Sequence, residues 1–198
     1  SRKVWLILAL VAVSFALRRE IVGLVRVVPI LFDAAPTVLP VPVEGVSPRE
    51  LEDTWGAARS GGRKHEGIDI FAPRGTRVVS VSPGLVTGHG WNTLGGRFVR
   101  VTGPGGVQYY YAHLDAFAEP RIANWVERGE VLGFVGNTGN ARTTPPHLHF
   151  GVYDFWGEAR NPYPLLVALE PFAKSGVPSA AALARELTAL MPALAKTV

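Results

Sequence analysis

The chain has no cysteine, which excludes disulfide cross-links and any metal site built on thiolates. Cysteine-free exported proteins are common, so this absence leaves the compartment open. Nothing in the 198 residues resembles a nucleic-acid-binding module, and the basic residues are scattered apart from Arg18-Arg19 and Arg63-Lys64. No nucleic-acid partner is therefore expected. Internal repeats and low-complexity segments are missing too. What is present is 47% hydrophobic residues with 22 Gly and 16 Pro, which favours one turn-rich β domain with a full core over a helical bundle. The net charge of +4 and a sequence pI near 9.7 suit an anionic polymer such as cell wall as well as they suit nucleic acid or a membrane surface.

Only five histidines occur, and four of them fall in three short segments: His65-Glu66-Gly67-Ile68-Asp69, Tyr111-Ala112-His113-Leu114 and His147-Leu148-His149. A strand shows alternate residues on one face, so His65 pairs in direction with Asp69, and His147 with His149. The opposite faces would carry Ile68 and Ile70 in the first segment, and Leu148, Phe150 and Val152 in the last. Apolar residues then face a core while imidazoles and a carboxylate face a groove. Two neutral imidazoles plus one carboxylate leave the fourth position of a tetrahedral Zn²⁺ open, the arrangement of a catalytic rather than a structural ion. A zinc hydrolase is expected. His89, in Gly88-His89-Gly90-Trp91, matches no such pattern and reads as a loop residue.

These same residues carry a resemblance. The run Gly61-Gly62-Arg63-Lys64-His65-Glu66-Gly67-Ile68-Asp69-Ile70-Phe71-Ala72-Pro73-Arg74-Gly75-Thr76, the Tyr-Tyr-Ala-His-Leu at 110 to 114, Gly133-Phe134-Val135-Gly136-Asn137-Thr138-Gly139 and His147-Leu148-His149-Phe150 resemble the LytM/lysostaphin-type zinc endopeptidases of peptidase family M23. The likeness covers roughly residues 50 to 165. It implies that His65, Asp69 and His149 hold Zn²⁺, and that His113 and His147 stay unliganded beside the attacking water. It also implies a substrate class, the peptide cross-links or stem peptides of bacterial peptidoglycan. Trp55-Gly56 and Arg59 are similar to a segment that precedes the first motif in this family, with Ala57-Ala58 altering the spacing to the arginine. Some members of the family have lost metal ligands and activate other wall hydrolases instead. A non-catalytic wall-associated regulator is thus the alternative, and the intact histidines count against it.

Glu66 invites comparison with the helical His-Glu-x-x-His proteases, where a glutamate is the general base. No second histidine stands at position 69, and Gly67 with the Ile68/Ile70 alternation reads as strand, so Glu66 should point away from His65. The base is then expected among His113 and His147, whose ordinary pKa suits the task. One would take a proton from water while the other binds the developing oxyanion or protonates the leaving amine. Tyr109, Tyr111 and His113 share one strand parity, which places Tyr111 either in the groove beside His113 or in the packing of the sheet. Tyr111 and Asn137 are the candidate groove residues, and the loops 88–96 and 116–128 the candidate specificity loops.

The fold class expected is mainly β, an antiparallel sheet or barrel-like sandwich, from β-rich runs at 77–81, 84–87, 97–102, 107–112, 131–135 and 147–153. At the N-terminus, Arg2-Lys3 and the apolar run Val4 to Leu17 are interrupted by Arg18-Arg19-Glu20 before a second apolar run, Ile21 to Phe32. The two runs together read as a membrane anchor or an uncleaved signal over 1–32, with Ser14-Phe15-Ala16 a weak cleavage site. Basic residues flank the runs on both sides; Arg2 and Lys3 on the inside would put the catalytic domain outside the cytoplasm, the localisation expected being the cell envelope, membrane-anchored, or exported. A Pro-rich linker spans 33–49, the peptidase domain 50–165, and a helical tail 166–198 with Leu183, Leu187, Leu190 and Leu194 at helical spacing.

Overall fold

The computed structural model describes residues 30–118 and 124–168. Strands are numbered β1 (Ile68–Phe71), β2 (Arg77–Val79), β3 (Gly84–Asn92), β4 (Gly96–Thr102), β5 (Gln108–Leu114), β6 (Ala116–Phe117), β7 (Trp125–Val126), β8 (Val131–Phe134), β9 (His147–Tyr153) and β10 (Ala159–Arg160), followed by a short helix α1 (Tyr163–Val167). The fold is mainly β. Seven strands form one antiparallel sheet in the order β1-β9-β5-β4-β3-β7, with β10 also on β9, and β2-β8-β6 form a second. Both sheets feed one core: Val78 and Leu132 come from the smaller, and Ile68, Ile70, Val99, Val101, Leu148, Phe150 and Val152 from the larger. All of these are essentially removed from water. The expected alternation in β1 and β9 is therefore observed, because one face of a half-covered antiparallel sheet must be apolar.

Three local readings change. His89 is not in a loop but in β3, which runs on to Asn92, and its ring stands edge-on to Phe117 at 5.5 Å. The turn between β3 and β4 shrinks to Thr93–Gly95, since Trp91 and Asn92 pair with Arg97 and Gly96. The segment from 33 to 49, extended up to Val43 and then turning at Gly45 into a 3-10 turn at Pro48–Glu50, is docked: Leu39 and Val43 are buried in the core, Leu39 N–H donates to Leu165 O, and Val43 bridges to Val78. Apolar residues between the prolines carry that docking.

Among the described residues, no helix is long and apolar enough to cross a membrane. The apolar runs from Val4 to Phe32 fall outside the described residues except for 30–32, and the tail helix expected around 178–196 falls outside them entirely.

Candidate metal centre and active site

The groove lies on the face of the larger sheet opposite the core, over β1, β9 and β5. In β1 and β9, Asp69 stands directly across from His149, so plain strand pairing puts both donors on one face. His65 arrives differently. It precedes β1 in an extended segment that pairs with the strip before it, His65 N–H donating to Ala57 O and Gly56 N–H to His65 O. Gly67 makes this approach possible, because a Cβ there would lie 2.6 Å from Phe150 O and 2.7 Å from His149 Cε1. Only a residue without a side chain lets the segment cross so close to His149.

His113 reaches the groove through a β-bulge. Val99 pairs with Tyr111 and Arg97 with Leu114, so β5 carries one residue more than β4 over this stretch. His113 sits within that stretch with φ +62, the one positive-φ residue other than glycine among the described residues. A left-handed backbone costs about 1–2 kcal/mol for a residue with a Cβ. The neighbours hold it there: His113 N–H donates to Gly95 O at 2.7 Å and its Nδ1 to Thr138 O at 2.8 Å. The bulge also resets parity. Tyr111 is fully buried, and its hydroxyl accepts from Val81 N–H at 3.1 Å in the core. Tyr111 is therefore a packing residue and not part of the groove. Its neighbour Tyr110 takes the groove position instead, edge-on to His149 at 6.1 Å. Asn137 is also corrected: it accepts from Arg74 at 2.5 Å and donates to Arg142 O and Thr144 O, tying down a loop rather than lining the groove.

The donor atoms converge. His65 Nε2 lies 2.8 Å from His149 Nδ1 and 3.1 Å from Asp69 Oδ1, and His149 Nδ1 lies 3.4 Å from the same oxygen. A tetrahedral ion with bonds of about 2.0–2.1 Å separates its donors by about 3.3 Å, so two imidazole nitrogens and one carboxylate oxygen at these spacings fit Zn²⁺. His113 and His147 flank the group, with ring centroids 5.0 Å from each other and His113 5.8 Å from His149. His147 Nε2 is 3.8 Å from Asp69 Oδ1. The five expected histidine and aspartate positions are thus all drawn into one groove.

The comparisons with known proteins point the same way. The family model described as Peptidase family M23 matches residues 63–162, half of the chain, and takes in every one of these positions. The chain belongs to peptidase family M23. It is 38% identical over 151 residues to the L-Ala–D-Glu endopeptidase of Bacillus subtilis, covering 71% of this chain and 46% of that protein. It is 33% identical over 91 residues to lysostaphin of Staphylococcus simulans, covering 45% of this chain and 18% of that protein. Among solved structures, the lysostaphin catalytic domain from Staphylococcus simulans superposes with a TM-score of 0.54 at 27% identity, over 61% of this chain and 96% of that one. The chain spans less than half the length of either curated relative.

Within this M23 site, backbone carbonyls set the imidazole tautomers. Nδ1 of His65 faces Thr54 O, Nδ1 of His113 faces Thr138 O and Nδ1 of His147 faces Pro145 O, each at 2.8 Å. A carbonyl only accepts, so each Nδ1 carries the hydrogen and each Nε2 turns a lone pair to the groove. Asp69 is fixed from both ends: its N–H donates to Thr54 Oγ1, and Arg59 grips Oδ2, leaving Oδ1 toward the imidazoles. Burial pushes the Asp69 carboxyl up, but the adjoining His149 and His65 imidazoles outweigh it and hold the group well below the ordinary carboxylate range. Glu66 is exposed and faces Tyr153, whose phenol is pushed up by burial and by that carboxylate.

Burial, reinforced by the charges of His149 and His147, lowers His113 from 6.5 to about 4, and burial lowers His149 as well. Both rings are therefore held neutral at pH 7. Folding depresses these pKa values, so between about pH 6.5 and 4 the unfolded chain binds more protons than the folded one, and stability falls as pH falls through that window. The metal-free protein should lose roughly 3 kcal/mol from His113 alone across it. Asp69, depressed in the opposite sense of charge, gives way only below the ordinary carboxylate range. Calorimetric melting of chelated protein should show a falling midpoint between about pH 7 and pH 4.5. A midpoint that stays level there contradicts a histidine buried neutral.

Proposed function

We propose that this chain is a zinc-dependent endopeptidase that hydrolyses peptide bonds in bacterial peptidoglycan, either cross-links or stem peptides, in the cell envelope. The observation that carries the reading is the convergence of His65, Asp69 and His149 beside two further imidazoles whose Nε2 atoms face the same groove. A Zn²⁺ held by those three donors supplies a Lewis acid that activates water and polarises a carbonyl at neutral pH.

The chain's own residues do the rest. His113, held neutral by burial, and His147 each turn Nε2 to the groove, where it can accept a proton from the attacking water. As the water oxygen bonds to the scissile carbonyl carbon and the carbon–nitrogen bond breaks, that proton passes to the leaving amine. The partner imidazole hydrogen-bonds the carbonyl oxygen as charge builds on it. Thr138 and Pro145 hold the two rings in the tautomer this requires, and Arg59 holds Asp69. The names of the curated relatives support peptide hydrolysis, and the basic charge of the chain suits an anionic wall. An N-terminal tether through the apolar runs would keep the domain at the wall.

Metal content and turnover test the reading together. Purified protein should carry one zinc per chain, lose activity on isolated wall when chelated, and regain it when zinc is returned. A metal-free protein with undiminished turnover would refute it.

A further inference from the structure

Resting on that reading, the groove also indicates which wall peptides it takes. Its volume is about 960 Å³, and its lining holds four cationic side chains, Arg59, Arg63, Lys64 and Arg100, against two carboxylates, Glu66 and Asp69. Arg59 is spent on Asp69. Outside the groove, Arg74, Arg77 and Arg160 pair with Asp115, Glu44 and Asp154, while Arg97 and Arg142 lie over the Trp91 ring. Among the described residues, Arg63, Lys64 and Arg100 have no acidic partner. Arg63 is turned onto Ser60. Arg100 is exposed in β4 opposite Tyr110, and its guanidinium lies over the Tyr110 ring at 5.6 Å. Tyr110 in turn is edge-on to both His149 and Tyr153, so it leads from the metal ligands to Arg100. A guanidinium resting on an aromatic ring keeps its N–H groups for other partners, and its planar fork can bind a carboxylate with two hydrogen bonds. The far end, past His147, is formed by Phe71, Leu94, Pro145 and Ala141 and has no charge.

We infer that Arg100 is a specificity-determining residue that binds a substrate carboxylate, so that the groove selects acidic stem peptides over uncharged glycine bridges. A charged hydrogen bond of this kind contributes about 10- to 100-fold in selectivity.

The test uses three synthetic substrates on the zinc-loaded full chain: a stem peptide with its D-glutamate α-carboxylate free, the same peptide with that group amidated, and pentaglycine. The free acid should be cleaved with a kcat/KM at least about 10-fold above the other two, with the preference mainly in KM and weakened by salt. Arg100→Gln should collapse the ratio of acid to amide toward one, and Arg100→Lys should restore part of it. Calorimetric binding of the acid and amide peptides reads the same preference without turnover. Equal cleavage and equal binding of acid and amide, better cleavage of pentaglycine, or an unchanged ratio in Arg100→Gln would overturn the assignment while leaving peptide hydrolysis intact. Charge-selective binding lost in Arg100→Gln, with no peptide cleaved, would instead uphold Arg100 and refute the proposed hydrolysis.

Discussion

Asp69→Ala should empty the metal centre and abolish activity. Two imidazoles alone give a weak, floppy site. Asp69 is also the shared point of the cluster, touching His65 and His149 through Oδ1 and Arg59 through Oδ2. Without it, the Arg59 guanidinium stands beside His65 and His149 with no carboxylate to neutralise it, which disfavours a cation further. Outer-shell partners of a metal cost roughly 10- to 100-fold in affinity when removed, so loss of a ligand should exceed about 100-fold. Elemental analysis after dialysis should find near-zero zinc per chain. Full zinc occupancy in this variant would remove Asp69 from the ligand set.

His113→Ala and His147→Ala should do the opposite to metal and the same to rate. Both rings are anchored by carbonyls, Thr138 O and Pro145 O, independently of the three donors. Zinc should therefore be retained while turnover falls roughly 10²- to 10⁴-fold, the range for lost general acid–base help. His113→Ala also removes an imidazole that burial holds below its ordinary pKa, so its melting midpoint at about pH 4.5 should move less from the neutral value than that of the parent. If either variant lost zinc as thoroughly as Asp69→Ala, that histidine would be a ligand.

Much of this site is written in short-range pattern. In β9 the alternation of His147 and His149 with Leu148, Phe150 and Val152 fixes two faces at once, and in β1 Asp69 alternates with Ile68 and Ile70 in the same way. Strand parity is a property of the backbone, so it can be read without neighbours. In β5 the same rule gives Tyr111 and His113 one face, which the bulge prevents. The extra residue there is created by pairing with β4 and by Gly95 and Thr138 reaching in from other loops. No residue near position 113 announces a left-handed backbone, since the usual glycine or asparagine is absent. The acceptors that fix the imidazole tautomers are equally silent, because Thr54, Pro145 and Thr138 contribute carbonyl oxygens that every residue owns. Arg59 was visible as a basic residue ahead of the first motif, but its grip on Asp69 depends on the turn that brings Ala57 against His65. Asn137 misleads for the reverse reason: it lies in a run that carries the family resemblance, yet its amide is consumed by Arg74, Arg142 and Thr144.

Mass spectrometry of purified peptidoglycan incubated with zinc-loaded protein tests the central claim most directly. The account predicts fragments that have each gained one water at an amide bond, with new amino termini, produced by the parent, absent after chelation and absent in His147→Ala that still carries zinc. Intact wall in the presence of fully zinc-loaded parent, or fragments cut at glycosidic bonds with every peptide bond preserved, would contradict it.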